Sequence, residues 1–295
     1  MLKPLILSLA FVLTSTLAQA QTKIETIASM SIIGDFVRQI GGDRVQVTTL
    51  VGAGGDTHTF QPAPQDARRM AQAKLVFING LGLEGWLPRL VQASGSKAQI
   101  ITISKGVQAI REANDGHHHS HDLDPHAWQN VAHAKIYMTN IRDALIAADP
   151  DGANDYRARS SAYLAELDGL DRDIRAALAS LPAERRRIIT SHDAFGYFAQ
   201  AYGMSFVAPQ GVSTEAEPSA RDVARIIRQI KAEKIPAVFL ENISDPRLMT
   251  QIARETGAKI GGRIFSDSLS DANGPAATYL DMMRHNLRAF MEALR

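Results

Sequence analysis

The chain has 295 residues, with 32 basic and 31 acidic side chains, nine histidines and no cysteine. The lack of thiols excludes disulfides and any soft thiolate metal site, and the balanced charge offers no basic excess to attract nucleic acid or an anionic membrane surface. Lys3 is the only charge among the first twenty residues, so the remainder carries 31 residues of each sign.

Residues 1–20 read as a targeting segment. Lys3 is a positive start, Leu5 to Leu17 is apolar apart from Ser and Thr, and Ala18-Gln19-Ala20 has the small-x-small form of a signal-peptidase site. The apolar run of about 13 residues is shorter than the ~20 that a membrane-spanning helix needs. Cleavage after Ala20 is expected, giving an exported, soluble, periplasmic protein. With no cysteine there is no thiol to carry a lipid anchor. A mature chain of about 275 residues can bury a large core, and chains of that size often split into two domains.

Apolar, β-branched runs then alternate with helical patterns. Strands are expected at Ile24–Ala28, Val45–Val51, Leu75–Ile78 and Gln99–Ile103, with helices at 32–40 and 66–73 between them. Asn130 to Ala148 is helical. Asn154 to Leu181 follows as one long candidate helix, with Tyr156, Tyr163, Leu164, Leu167, Leu170, Ile174 and Leu178 in a single apolar stripe and Pro182 ending it. At about 28 residues it would span ~42 Å, suited to a strut between two domains; two shorter core helices are the alternative. The alternation resumes with strands at Arg187–Thr190, Ser205–Ala208, Ala237–Leu240 and Lys259–Phe265, and helices at 194–202, 219–233, 247–256 and 276–294. The fold class is therefore α/β, with mostly parallel sheets flanked by helices. The expected organisation is a signal peptide at 1–20, an N-terminal lobe at 21–150, a linking helix at 151–181 and a C-terminal lobe at 182–295.

Five of the nine histidines fall within ten residues, in Gly116-His117-His118-His119-Ser120-His121-Asp122-Leu123-Asp124-Pro125-His126. Short histidine-rich tracts read as metal binding, and nitrogen and oxygen donors without thiolate place zinc first. Isolated residues carry more information. His58 lies in a loop after strand 45–51, His192 follows strand 187–190, Asp267 follows strand 259–265, and His126 sits at a helix start. Open α/β sheets bind ligands outside the carboxyl ends of their strands, so two facing lobes would bring these residues to one cleft. Three imidazoles and a carboxylate make a four-coordinate site that suits zinc. Each residue also has a plainer reading. His58 could be an exposed loop residue, and His126 a helix-start residue with a local hydrogen bond. His192 could lie beside a cap made by Ser191 or Asp193, and Asp267 could be a turn former. His133 and His285 read as structural.

Taken together, these segments resemble the cluster A-I (cluster 9) periplasmic metal-binding proteins of ABC transporters, specifically the zinc-receptor subgroup. Gly55-Asp56-Thr57-His58-Thr59-Phe60-Gln61-Pro62-Ala63-Pro64-Gln65-Asp66 is similar to the family's first ligand motif, and Asp124-Pro125-His126-Ala127-Trp128 to the second. Ser191-His192-Asp193-Ala194-Phe195-Gly196-Tyr197-Phe198 is similar to the third, and Ser266-Asp267-Ser268-Leu269 to the fourth. The resemblance covers nearly all of the chain beyond the targeting segment. It implies two lobes joined by a long rigid helix, with the metal between them on His58, His126, His192 and Asp267. Histidine in the third position, where manganese receptors tend to have Glu, implies zinc. The loop at 116–122, with His117, His118, His119 and His121, matches the place of an accessory metal-gathering loop. The implied function is capture of Zn2+ and delivery to a membrane-embedded ABC zinc permease by a monomer that is not an enzyme. A periplasmic zinc-donating metallochaperone is a second expected partner. The alternatives are a manganese or iron receptor of the same family and, in another class, a zinc-dependent hydrolase with Asp267 replaced by water.

Overall fold

The structure is a computed structural model that describes residues 23–111 and 123–295. The expected targeting segment and the loop histidines His117, His118, His119 and His121 lie outside the described residues.

The chain opens with β1 (Ile24–Met30), α1 (Ser31–Gly41), β2 (Val45–Val51), α2 (Pro64–Gln72), β3 (Leu75–Ile78), α3 (Leu87–Ser94) and β4 (Gln99–Thr102). These strands form a four-stranded sheet of order β2-β1-β3-β4, parallel throughout. Ile27, Ala28, Val76 and Phe77 are fully buried, as expected of central parallel strands covered on both faces. Two helices follow, α4 (Val131–Ala148) and α5 (Ala153–Ala179). The second half contains β5 (Arg187–Ile189), α6 (Gly196–Tyr202), β6 (Ser205–Val207), α7 (Ala220–Glu233), β7 (Ala237–Glu241), α8 (Pro246–Thr256), β8 (Lys259–Ile264) and α9 (Tyr279–Leu294). Its sheet, β6-β5-β7-β8, is again parallel and repeats the strand order of the first. The two halves thus share one topology without a visible sequence repeat.

Helix α5 is one uninterrupted element of 27 residues, roughly 40 Å at 1.5 Å per residue. Its buried stripe is Tyr156, Ser160, Tyr163, Leu167, Leu170, Ile174 and Leu178. The three- and four-residue steps keep these on one face. That face packs on α1 and α4 from the first half and on α6 and α9 from the second, so the helix ties the two halves together. The two-short-helix alternative does not occur. Leu164, expected in the stripe, is only half-buried, and Ser160 takes a fully buried position instead.

Helix starts follow local chemistry. Asn130 accepts a hydrogen bond from Ala132 N, Ser219 from Asp222 N and Thr278 from Asp281 N, each satisfying a free N–H of the first turn. The sequence reading had no helix between β3 and β4. Helix α3 is short, follows three closely spaced glycines and begins next to Pro88, so its periodicity is weak. It is held by burial of Leu87 and Leu90. Helix α6 starts two residues later than expected because Ala194 and Phe195 are used in the turn that carries His192, where Ala194 N donates to His192 O.

Leu167→Ala, at the centre of the α5 stripe, is expected to destabilise the protein by about 3 kcal/mol, whereas Glu166→Ala on the exposed face should change stability by less than about 0.5 kcal/mol. Urea unfolding of the two variants checks this; equal effects would remove α5 from the shared core.

Candidate metal centre

Four side chains from four separate loops converge between the sheets: His58, His126, His192 and Asp267. His58 lies between β2 and α2. Its N–H donates to Asp56 Oδ1 at 2.9 Å, and Trp86 Nε1 donates to Thr57 O at 2.9 Å, so both polar groups of the peptide that precedes the His58 side chain are held. Asp56 Oδ2 also accepts from Thr214 Oγ1 at 2.6 Å, which ties this loop to the opposite half of the molecule.

His126 precedes a short 3-10 turn at Ala127–Gln129 rather than standing in α4 itself. Asp124 Oδ1 accepts from its N–H at 2.9 Å and lies 2.8 Å from its Nδ1. Asn79 Nδ2 donates to Pro125 O at 2.9 Å, and Asn79 Oδ1 accepts from Tyr137 at 2.5 Å. Glu84, itself buried, accepts from the N–H of Asn79 and from Ser29, both at 2.7 Å. A buried polar chain from β1 to α4 therefore sets the height of the Asp-Pro-His turn. Gly196 is required here for close approach, since a Cβ would come within 2.7 Å of Asp124 Oδ2.

His192 follows β5, and Glu241, the last residue of β7, stands beside it. Glu241 Oε1 accepts from the N–H groups of Ser191 and His192 at 2.7 and 3.0 Å, and its Oε2 lies 2.6 Å from His192 Nδ1. Asp267 follows β8. The carbonyl of the preceding Ser266 accepts from both Trp128 Nε1 and Gln129 Nε2 at 2.9 Å. On the other side, Leu269 N donates to Ser31 Oγ at 2.9 Å. The carboxylate ligand candidate is thus anchored by the first half of the chain on both of its flanks.

The Nε2 atoms of His58 and His192 lie 3.3 and 3.4 Å from that of His126. Asp267 Oδ2 is 3.2, 3.5 and 3.2 Å from the Nε2 atoms of His58, His126 and His192. All four donors fall within 4.8 Å of one another. Donors held 2.0–2.1 Å from a common centre in a regular tetrahedron are separated by about 3.3 Å. Five of the six edges therefore have the length that one four-coordinate ion sets. The site is dry: His126, His192 and Asp267 are 0 % exposed and His58 is 8 %. Neither Asp267 oxygen makes a well-formed hydrogen bond among the described residues.

The structure brings together all four residues singled out in the sequence. It leaves His133 and His285 out, in line with their structural reading. His133 packs edge-on against Tyr197, and His285 Nε2 lies 2.9 Å from Arg263 O. Sequence reasoning missed Glu241, Asn79, Glu84, Trp86 and Thr214. Glu241 ends a strand adjacent to the one before His192, and that position was the one available signal.

The family model described as zinc-uptake complex component A, periplasmic (ZnuA), matches residues 27–293. The chain is 35% identical over 272 residues to the manganese-binding lipoprotein MntA of Halalkalibacterium halodurans, covering 92% of this chain and 88% of that one. It is 31% identical to the manganese ABC transporter substrate-binding lipoprotein PsaA of Streptococcus pneumoniae, covering 92% and 89%. Among solved structures, the periplasmic zinc binding protein TroA of Treponema pallidum superposes with a TM-score of 0.87 at 30% identity, covering 92% of this chain and 99% of TroA. The Mn-bound periplasmic metal binding protein from Candidatus Liberibacter asiaticus gives 0.82 at 32% identity, covering 93% and 100%.

The electrostatics show what a buried carboxylate among imidazoles demands. Burial opposes the charging of His126, but the adjoining Asp267 and Asp124 carboxylates overcome it and lift its pKa to about 9. Burial likewise opposes charge on His192, and Glu241 and Asp267 raise it well above the usual imidazole range. Burial alone would raise Asp267; the His192 and His126 charges hold it well below the usual carboxylate range. His58 is lowered by burial, against a smaller upward pull from Asp267. Without metal, protons on His126 and His192 therefore supply the positive charge. A raised folded-state pKa contributes stability that is complete below about 6.5 and is lost as pH rises through the folded value. The metal-free protein is expected to lose on the order of 3 kcal/mol between pH 6.5 and 9 from His126 alone. The His58 contribution has the opposite sign and lies below its ordinary value of 6.5. Urea unfolding of metal-free protein from pH 6 to 10 checks this, and a flat profile would contradict protonation of the cluster.

Proposed function

The chain belongs to the family of metal-binding periplasmic receptors of ABC transporters, and from that premise we propose that it captures zinc between its lobes and delivers it to a membrane permease. The observation that carries the reading is the dry N3O cluster of His58, His126, His192 and Asp267, five of whose six edges are 3.2–3.5 Å. Three imidazoles favour zinc, whereas the harder manganese ion prefers more oxygen donors and a higher coordination number. On this reading residues 21–150 and 182–295 are the two lobes and 151–181 the strut. The work of the protein is binding and release without a change in the ion.

Capture proceeds by exchange of charge. The ion takes the place of the protons on His126 and His192, and Asp267 stays ionised throughout. The ligand loops come from both halves, so a bound ion links them, and separation of the halves pulls the donors apart for release. The histidine loop belongs to the same proposal as an accessory gatherer of zinc, from solution or from a donor metallochaperone. It leaves the described chain at Arg111 and returns at Leu123, which pair in an isolated bridge three residues from His126.

Manganese is the second reading, supported by the names of MntA and PsaA. A zinc hydrolase is disfavoured because four protein donors fill a tetrahedral ion and leave no position for a reactive water.

Competition binding with zinc and manganese is expected to favour zinc by more than about 100-fold, and His126→Ala, His192→Ala or His58→Ala to weaken zinc by at least about 100-fold. Preference for manganese would overturn the choice of metal, and unchanged affinity in His126→Ala would overturn the four-ligand site. Calorimetry near pH 7.5 in buffers of different ionisation enthalpy should show about two protons released per zinc, from His126 and His192. Release of none would contradict the exchange.

A further inference from the structure

Glu241 faces His192 from the side away from Asp267, and its two oxygens have different tasks. Oε1 accepts from the main-chain N–H groups of Ser191 and His192, at 2.7 and 3.0 Å. Oε2 lies 2.6 Å from His192 Nδ1. Among the described residues neither Oε2 nor Nδ1 makes a well-formed hydrogen bond, to each other or elsewhere, so this close approach is the polar contact left to them, and both residues are buried, at 3 % and 0 % exposure. One oxygen is therefore committed to the backbone, and the other stands against the imidazole. A neutral imidazole carries its proton on one nitrogen only, and the nitrogen that binds a metal must be the bare one.

We propose that Glu241 is a positioning residue that sets the tautomer of His192. It keeps the ring proton on Nδ1 and leaves the Nε2 lone pair facing the cleft. The proposal rests on the reading of His192 as a metal ligand. Asp124 behind His126 is a different device. There a single oxygen, Oδ1, serves both the His126 N–H at 2.9 Å and its Nδ1 at 2.8 Å.

This difference has a consequence for isosteric amides. In Glu241→Gln the amide oxygen has to take the Oε1 position, because an NH2 group there would meet two backbone N–H donors. The NH2 group then faces Nδ1 and can only donate. The ring proton moves to Nε2, where it points at the metal position and blocks it. In Asp124→Asn the amide oxygen takes the Oδ1 position and accepts both bonds as before, so the His126 tautomer is unchanged. The same chemical change disables one ligand and spares the other.

The test uses the full chain and three variants. Long-range 1H–15N correlation of the metal-free proteins reads the state of His192 Nδ1, and competition against a chromophoric chelator reads zinc affinity. Nδ1 is expected to carry a proton in the wild type, whether the ring is neutral or cationic, and to be bare in Glu241→Gln. Zinc affinity is expected to fall about 100-fold in Glu241→Gln and less than about 10-fold in Asp124→Asn. Glu241→Ala, which frees the ring to choose either tautomer, should bind more tightly than Glu241→Gln. A bare Nδ1 in the wild type overturns the proposal, as does a Glu241→Gln affinity equal to or above that of Asp124→Asn or Glu241→Ala. If Glu241→Gln does not fold, the wild-type Nδ1 spectrum, recorded at a pH high enough for the ring to be neutral, decides alone. A wild type that binds no zinc would remove the ligand reading of His192, while the metal-free spectra would still decide what Glu241 does to the ring.

Discussion

A carboxylate sealed from water among three imidazoles is the constraint on which the rest of the molecule depends. Asp267 is fully buried, and among the described residues the ionisable groups paired with it are three imidazoles. An isolated buried charge costs several kcal/mol and persists only with a compensating partner. Here the partner is a positive charge at the centre of the cluster, carried by protons on His126 and His192 or by an ion that replaces them. Metal-free and metal-bound forms thus solve one electrostatic problem in two ways. On the proposed reading, that equivalence lets a preformed site exist without metal and still accept one.

Holding four donors at these separations requires the two halves to be locked to each other, and the contacts that do so sit next to the donors. Trp128 and Gln129 from the first half hold the Ser266 carbonyl, and Ser31 holds the main chain at Leu269, so Asp267 is placed by the opposite half. Asp56 and Thr214 make the corresponding link beside His58. Tyr197 donates to the Asp124 carbonyl at 2.8 Å beside His126. Helix α5 and the start of α9, with Tyr279 N donating to the buried Asp35 on α1, complete the joint. Movement between the halves is therefore felt first at the metal donors. In a receptor that must both hold and release its cargo, that coupling is the useful one.

Much of this was legible in the sequence because the elements obey local rules. Leu75–Ile78 has the length and apolar run of a buried parallel strand, Val45–Val51 has the β-branched residues of an edge strand, and both appear with the expected bounds. The α5 stripe was legible from its three- and four-residue steps. The four donors were legible because three of them follow strand ends, where a parallel sheet presents its loops, and because their flanking motifs are distinctive. What was not legible depends on tertiary contact. Glu241 occupies an ordinary strand end in Phe239-Leu240-Glu241-Asn242, and only the pairing of β7 with β5 brings it to His192. Thr214 lies 158 residues from Asp56. Helix α3 has too few turns to show a period. The histidine run, the most conspicuous feature of the sequence, lies outside the described residues, whereas the plain His126 at its end is in the centre of the cluster.

The solved structures named for zinc and for manganese share this fold at TM-scores of 0.87 and 0.82, so the architecture alone does not choose the metal. The choice has to lie in the donors and in how firmly they are held. In this chain the third donor is an imidazole, and Glu241, the carboxylate on its far side, is occupied. Two backbone amides take up one of its oxygens and the other lies against Nδ1, on the side of the ring away from the donor cluster, which keeps it from serving as a fifth ligand. Manganese would need such extra oxygen donors to reach its preferred coordination number, whereas zinc is complete with four. The group that orients His192 is thereby also the group whose restraint holds the site at four donors. On the proposed reading, selectivity for zinc comes as much from the carboxylate kept out of the coordination sphere as from the imidazoles placed in it.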